Sequence, residues 1–134
     1  MNNENELEPD KKGFWDLKVF QKAFDMAMEI FNTSKAFPSE EKYSLTDQIR
    51  RSSRSICSNI SEAYRKKRYP AHFISKLTDA DAECSETAVW LKFALTCNYI
   101  ENKKFEELES KIAEIGRMLG AMINNSERFA LGSK

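Results

Sequence analysis

The side chains with chemical potential are few. His72 is the only histidine in 134 residues. One imidazole leaves a Ser-His-Asp arrangement arithmetically open but excludes a multi-histidine metal site. It follows Pro70 in the first turn of a predicted helix, an ordinary exposed position. Cys57, Cys84 and Cys97 are odd in number and form no CxxC. They read as reduced thiols serving as small core residues. Cys84 and Cys97, 13 residues apart on one predicted helix, stand about 20 Å apart and cannot bridge within the chain. Asp79, Glu83 and Glu86 are spaced i, i+4, i+7 on one helix face. Carboxylates so placed could take a divalent metal, but bundle metal sites recruit Glu-x-x-His and no histidine is available. Gly13, Gly116, Gly120 and Gly132 build no phosphate-cradling loop. No cofactor, metal or catalytic activity is expected.

Cations offer binding chemistry instead. The chain carries 21 basic and 21 acidic residues, so its net charge is zero, which is not the footprint of a strong nucleic-acid binder. The charge is nonetheless segregated. Residues 45–68 hold Arg50, Arg51, Arg54, Arg65, Lys66, Lys67 and Arg68 against Asp47 and Glu62 alone. The run Arg65 to Arg68 can complement the negative end of a helix dipole. Flanked by Tyr64 and Tyr69, it also fits a nucleic-acid surface, with cations for phosphate and rings for stacking. Arg50 and Arg54 share a helix face, and an arginine–carboxylate network with Asp79, Glu83 and Glu86, within a chain or between subunits, is the plainer expectation for them.

These side chains need elements to position them. Glycine and proline together are only 7 residues, which excludes a turn-rich all-β domain. No run approaches the ~18 apolar residues of a membrane span. The acidic N-terminus (Glu4, Glu6, Glu8, Asp10) is no signal peptide, so a cytoplasmic location without a membrane partner is expected. Residues 1–13 read as a disordered acidic tail and 129–134 as a flexible C-terminus. Between them, residues 14–128 form one domain. Leu17, Phe20, Phe24, Ala27 and Phe31 recur at helical spacing, with Val19, Met26 and Ile30 widening the stripe and Asp16 as N-cap. Pro38 stops that helix, and Ser39–Lys42 can start a turn. The second helix runs from about Leu45 to Lys67, and its many serines let a neighbour approach closely. The third carries Phe73, Leu77, Ala80, Cys84, Ala88, Leu91 and Leu95. The fourth, capped by Asn102, carries a heptad seam of Phe105, Leu108, Ile112, Ile115, Leu119 and Met122. Gly116 and Gly120 offer a close-approach spacing on it. The fold class is all-α: an antiparallel up-down-up-down four-helix bundle.

Several stretches also resemble a known family. Phe14 to Ala23, Phe37-Pro38, Leu45 to Arg51, Ser55 to Ala63, Phe73 to Leu77 and Asn98-Tyr99-Ile100 are similar, in order, to the bacterial four-helix bundle family first known from intervening sequences in 23S rRNA genes. The S23 ribosomal protein label attaches to the same family. Ser55-Ile56-Cys57-Ser58-Asn59-Ile60-Ser61-Glu62-Ala63 resembles its Ser-x-x-x-Asn-Ile-Ala-Glu-Gly signature, with Ser61 and Ala63 in place of alanine and glycine. Without that glycine, helix two is expected to run unbroken into the basic cluster. The Asp79 to Trp90 region departs from the commonest version.

The resemblance implies a cytoplasmic homopentamer without enzymatic activity. A relative in diversity-generating retroelements assists reverse transcriptase and binds nucleic acid through a basic surface. Arg50, Arg51, Arg54, Arg65, Lys66, Lys67 and Arg68 are therefore the candidate nucleic-acid contacts, with RNA or a nucleic-acid–protein complex as partner. Asn59 and Glu62 are expected to be structural. The alternative is a protein-only scaffold, in which Trp15, Trp90 and Phe93 anchor an oligomer interface.

Overall fold

Four long helices make up most of residues 13–130, the part of the chain that the computed structural model describes. They are α1 (Lys18–Ser34), α2 (Leu45–Arg65), α3 (Pro70–Thr96) and α4 (Asn102–Asn124), followed by a short α5 (Ser126–Ala130). Two 3₁₀ turns, Gly13–Asp16 and Ser39–Glu41, precede α1 and α2. No strand occurs among the described residues. Except for Gly13 and the backbone of residues 129 and 130, the segments expected as tail and flexible C-terminus lie outside them.

The helix ends follow local chemistry more closely than the sequence suggests. Leu17 in extended conformation, not Asp16, stands at the N-cap of α1, while Asp16 closes the 3₁₀ turn. Likewise Glu101, not Asn102, stands at the N-cap of α4. In both cases the cap makes no side-chain hydrogen bond, so backbone geometry rather than an Asn or Asp side chain sets the start. Pro70 opens α3 at its first position, where its missing N–H costs nothing. Asn98, with φ of 63°, closes α3 in the left-handed region. Its N–H donates to the Leu95 carbonyl and the Tyr99 N–H to the Ala94 carbonyl, the paired bonds of a Schellman motif.

The core is continuous along all four helices. On α4 the expected seam is buried from Leu108 through Met122, with Phe105 half-buried. On α3, Phe73, Leu77, Ala80, Cys84 and Leu91 are buried as expected, and Thr87 joins them. On α1 the face is rotated: Val19, Phe20, Ala23, Met26, Ala27 and Ile30 are buried, but Phe24 is 45% exposed. The expected aromatic stripe is thus not wholly a core stripe.

Each of the four long helices contacts two of the others, and α5 touches α3 and α4. α2 lies between α1 and α3, and α4 also touches both α1 and α3; α1 does not meet α3, nor α2 meet α4, among the described residues. The most extensive packing joins α2 and α3. Buried Ser52, whose hydroxyl meets Thr87 of α3, permits it, as the small residues suggest. Cross-helix pairs run in opposite numerical order. Lys22 meets Glu114 while Glu29 meets Lys104 and Lys111; Ser52 meets Thr87 while Glu62 meets Lys76. The two glycines of α4 form no close seam: a Cβ on Gly116 would lie 3.7 Å from Asp81 Oδ1, an ordinary contact, and one on Gly120 would face open space.

Candidate nucleic-acid interface

The outer side of α2 carries the basic residues because its inner side is fixed by Leu45, Ile49, Ile56, Ile60 and Ala63 in the core. Arg51, Arg54 and Arg65 fall near one line on the opposite side. Arg51 and Arg65 are 14 residues apart, about 21 Å along a helix. All three are exposed.

Arg50 is placed differently. Half-buried, it donates from Nε to Ser34 Oγ at 2.7 Å and from Nη2 to the Phe31 carbonyl at 3.4 Å. Its guanidinium sits 4.6 Å from the Phe31 ring centroid, and that of Arg54 sits 5.5 Å from the same ring. A cation there meets both a π face and the negative end of α1. Arg50 therefore holds α1 to α2.

The expected network with the acidic face of α3 does not form within the chain. No ion pair joins Arg50, Arg51 or Arg54 to Asp79, Glu83 or Glu86 among the described residues. Partial burial and the neighbouring Glu86 and Asp79 charges push the Glu83 carboxyl up, with Arg51 opposing them. Lys76 takes the ion pairs instead, with Glu62 at 2.8 Å and Asp79 at 3.8 Å. The hydrogen bond it donates to Glu62, with the charges of Glu62 and Asp79, holds the Lys76 ammonium above its usual range. Glu62 thus links α2 to α3, and Asn59 is engaged within α2. The Asn59 amide donates to the Ser55 carbonyl of its own helix at 2.9 Å rather than across to a neighbour.

At the end of α2 the basic cluster occupies a turn. The helix stops at Arg65, two residues short of the expected Lys67, and Lys66 is its C-cap. The Lys66 N–H donates to the Ala63 carbonyl at 2.9 Å, and the Tyr69 N–H to the Lys66 carbonyl at 2.9 Å. The helix runs unbroken past Ala63 as far as Arg65, the first residue of the cluster, and stops there. Arg65, Lys66 and Arg68 are exposed. Lys67 lies over the Tyr64 ring at 4.2 Å and donates to its hydroxyl at 3.2 Å. Tyr69 is exposed, edge-on to His72. Of the two flanking tyrosines, Tyr69 keeps its ring open to solvent.

The expected interface anchors fall in two separate apolar grooves. Trp15, 58% exposed, rests on Phe14, Phe20 and Phe24. With Met28 these rings form one wall of a groove of about 370 Å³ between α1 and α2; Arg54, Cys57, Ser58 and Ser61 form the other. Phe93, 52% exposed, stands 5.9 Å from Trp90. They line a second groove of about 400 Å³ with Tyr43, Ser44, Leu45, Gln48, Glu41 and Cys97. Trp90 is half-buried and donates from Nε1 to Glu86 Oε2 at 3.2 Å. Sequence reasoning missed Phe24, Met28, Tyr43 and Val89 as exposed apolar residues. For Phe24 the helical spacing pointed the wrong way.

The thiols differ from the uniform core expectation. Cys84 is buried and Cys57 half-buried, but Cys97 is exposed. Burial pushes Cys57 up to about 11 and Cys84 up to about 12. His72 is exposed in the first turn of α3. Among the described residues no three His, Cys, Asp or Glu side chains gather to hold a metal ion, and no helix is long and apolar enough to cross a membrane.

An all-helical chain with its chemistry on the surface belongs to the class of helical-bundle proteins. It matches the 23S rRNA-intervening sequence protein family over residues 15–121 and belongs to that family. A crystal structure from Bacteroides thetaiotaomicron is similar to it, with 34% identity and a TM-score of 0.72, covering 79% of this chain and 95% of that one. That protein is described as one of unknown function from the S23 ribosomal protein family. No curated protein matches the chain.

Proposed function

We propose that this protein is a non-enzymatic, cytoplasmic binding protein that assembles with itself, as a homopentamer, and engages RNA or a nucleic-acid–protein complex through α2 and the turn that follows it. The helices take the up-down-up-down antiparallel arrangement that the opposite-running cross-helix pairs support. One observation carries the binding reading. Arg51, Arg54 and Arg65 share the solvent side of α2, continue into Lys66 and Arg68, and have no carboxylate within ion-pair distance among the described residues. Tyr69 adds an open ring for stacking beside them. Arg50 is excluded from the contact set because Ser34 and Phe31 already occupy it. With zero net charge, each subunit binds weakly, and adjacent subunits in an assembly add their fields.

The test is RNA binding against salt concentration, for the wild type and for a variant with Arg51, Arg54, Arg65, Lys66 and Arg68 changed to Gln. The wild type should bind at low salt with a steep salt slope, and the variant should bind less with a flatter slope. Equal binding by the two proteins, or none by the wild type, rejects the site. The second reading, a protein-only scaffold, draws on the two exposed aromatic grooves and is favoured by an assembly indifferent to RNA.

A further inference from the structure

We infer that Lys76 on α3 is a positioning residue of the anion-binding face: by holding the Glu62 carboxylate, it leaves Arg65 and Lys66 open to a polyanion. The inference rests on the proposed function and adds to it a residue from a second helix.

Glu62 stands where a carboxylate harms such a face. It is 11 residues after Arg51, close to three full turns of helix, and 3 before Arg65. It therefore falls on the same solvent line as Arg51, Ser58 and Arg65, and like them it is exposed. Arg65 and Lys66 follow it at i+3 and i+4, the two spacings at which opposite charges meet on a helix. Left to its own helix, Glu62 would pair with the cations that a phosphate backbone needs, and would repel the phosphates as well. Asp47, the other acidic residue of α2, is 15 residues earlier in the first turn.

The structure shows a different pairing. The Glu62 carboxylate reaches across to Lys76 Nζ at 2.8 Å. No ion pair joins it to Arg65 or Lys66 among the described residues. Phe73, Leu77 and Ala80 fix the inner side of α3 in the core, and Lys76, half-buried, is left at the edge that meets α2. Its other carboxylate neighbour, Asp79 on its own helix, is farther away at 3.8 Å. With side chains 32% and 53% exposed, the Lys76–Glu62 pair contributes little to stability. Its consequence is electrostatic. A cation from α3 cancels the carboxylate beside the basic cluster and occupies it, so that Arg65 and Lys66 keep their charge for a ligand.

The experiment compares Lys76→Gln, Glu62→Gln and the double variant with the wild type. Binding of a labelled poly-uridylate strand is measured against salt, and the salt that elutes each protein from heparin is recorded. Lys76→Gln should bind about two- to fivefold more weakly at low salt with a flatter salt slope, and Glu62→Gln more tightly by a similar factor with a steeper one. The double variant should bind like the wild type. Lys103→Gln, the same charge change at an exposed site on α4, should leave binding unchanged.

A direct contact by Lys76 alone would make Glu62→Gln silent and leave the double variant weak. A purely structural pair would make both single variants lose binding together with their urea midpoints. An equal loss in Lys103→Gln would assign the effect to net charge. Each of these patterns overturns the inference. A wild type that does not bind the RNA rejects the proposed function, and heparin then still reads the compensation. Lys76→Gln should elute first, the wild type and double variant together, and Glu62→Gln last; equal elution of all four overturns the inference.

Discussion

The hydroxyl oxygens of Ser52 on α2 and Thr87 on α3 lie 2.9 Å apart in the buried seam between their helices. Thr87 Oγ1 is also 2.8 Å from the Glu83 carbonyl oxygen, and Ser52 Oγ is 3.4 Å from that of Ile49. Two polar groups are thus satisfied inside the most extensive helix contact of the molecule, and the small Ser52 side chain is what allows the approach. Ser52→Ala leaves Thr87 its carbonyl partner and should cost under about 1 kcal/mol. Ser52→Leu must push α2 and α3 apart and should cost about 1–3 kcal/mol. Urea unfolding of the two variants checks the order; equal loss would show that seam volume is not limiting.

Thr46 is the counterexample. Its buried Oγ1 has no hydrogen-bond partner among the described residues. Thr46→Val keeps the shape and removes the unsatisfied hydroxyl. It should leave stability unchanged or raise it, by about 1 kcal/mol. A lower urea midpoint for Thr46→Val would reveal a partner for that hydroxyl.

Asn98 pays for its left-handed φ of 63°. Asparagine tolerates that region better than other non-glycine residues. Asn98→Gly should stabilise by a few tenths to about 1 kcal/mol, and Asn98→Ala should destabilise by about 1 kcal/mol. Thermal melts of both give opposite shifts if the Schellman closure sets the end of α3.

Glu29 joins α1 to α4 through Lys104 and Lys111. Partial burial raises its carboxyl, but the two ammonium partners outweigh burial and leave it below the usual carboxylate range. A lowered folded-state value means that the contribution is fully present above the unfolded value, about 4.3. It is lost as pH falls through the folded value. Glu29→Gln should therefore destabilise at neutral pH by about 0–1 kcal/mol, since the lysines are well solvated. The gap between variant and wild type should close below about pH 4. A gap that persists in acid would assign the loss to packing.

Much of this fold is readable without coordinates, and the exceptions share a cause. The α4 seam from Leu108 to Met122 repeats so regularly that only one face can be buried. On α1, apolar residues cover two faces, and periodicity cannot say which meets the core. Helical spacing puts Phe20, Phe24 and Ala27 on one stripe, yet Phe20 and Ala27 are buried while Phe24 lies at the surface. The basic residues show the same limit. Their clustering along α2 is plain in the sequence. That Arg50 would turn to Ser34, 16 residues earlier, while Arg51 and Arg54 form no ion pair with the α3 carboxylates, depends on how helices sit side by side. Arginine pairing is a tertiary choice among several carboxylates, carbonyls and rings, and spacing along one helix does not encode it.

The carboxylate of Glu41 gathers three donors: the Ser44 hydroxyl at 2.6 Å, the Leu45 N–H at 3.1 Å and the Tyr99 hydroxyl at 2.8 Å. It ties the link before α2 to the link after α3, with Phe37 and Tyr99 rings 5.5 Å apart beside it. The turn at the other end of α2 has its backbone bonds and the Lys67–Tyr64 contact. The pole at Glu41 is therefore expected to resist opening more than the pole at Lys66. Local opening should begin where stabilising contacts are fewest, so amide exchange should be faster around Lys66 to Tyr69 than around Glu41 and Tyr99. That turn also carries Lys66, Lys67 and Arg68, so if the proposed binding holds, a charged segment that opens readily would meet the nucleic acid while the opposite pole stays closed.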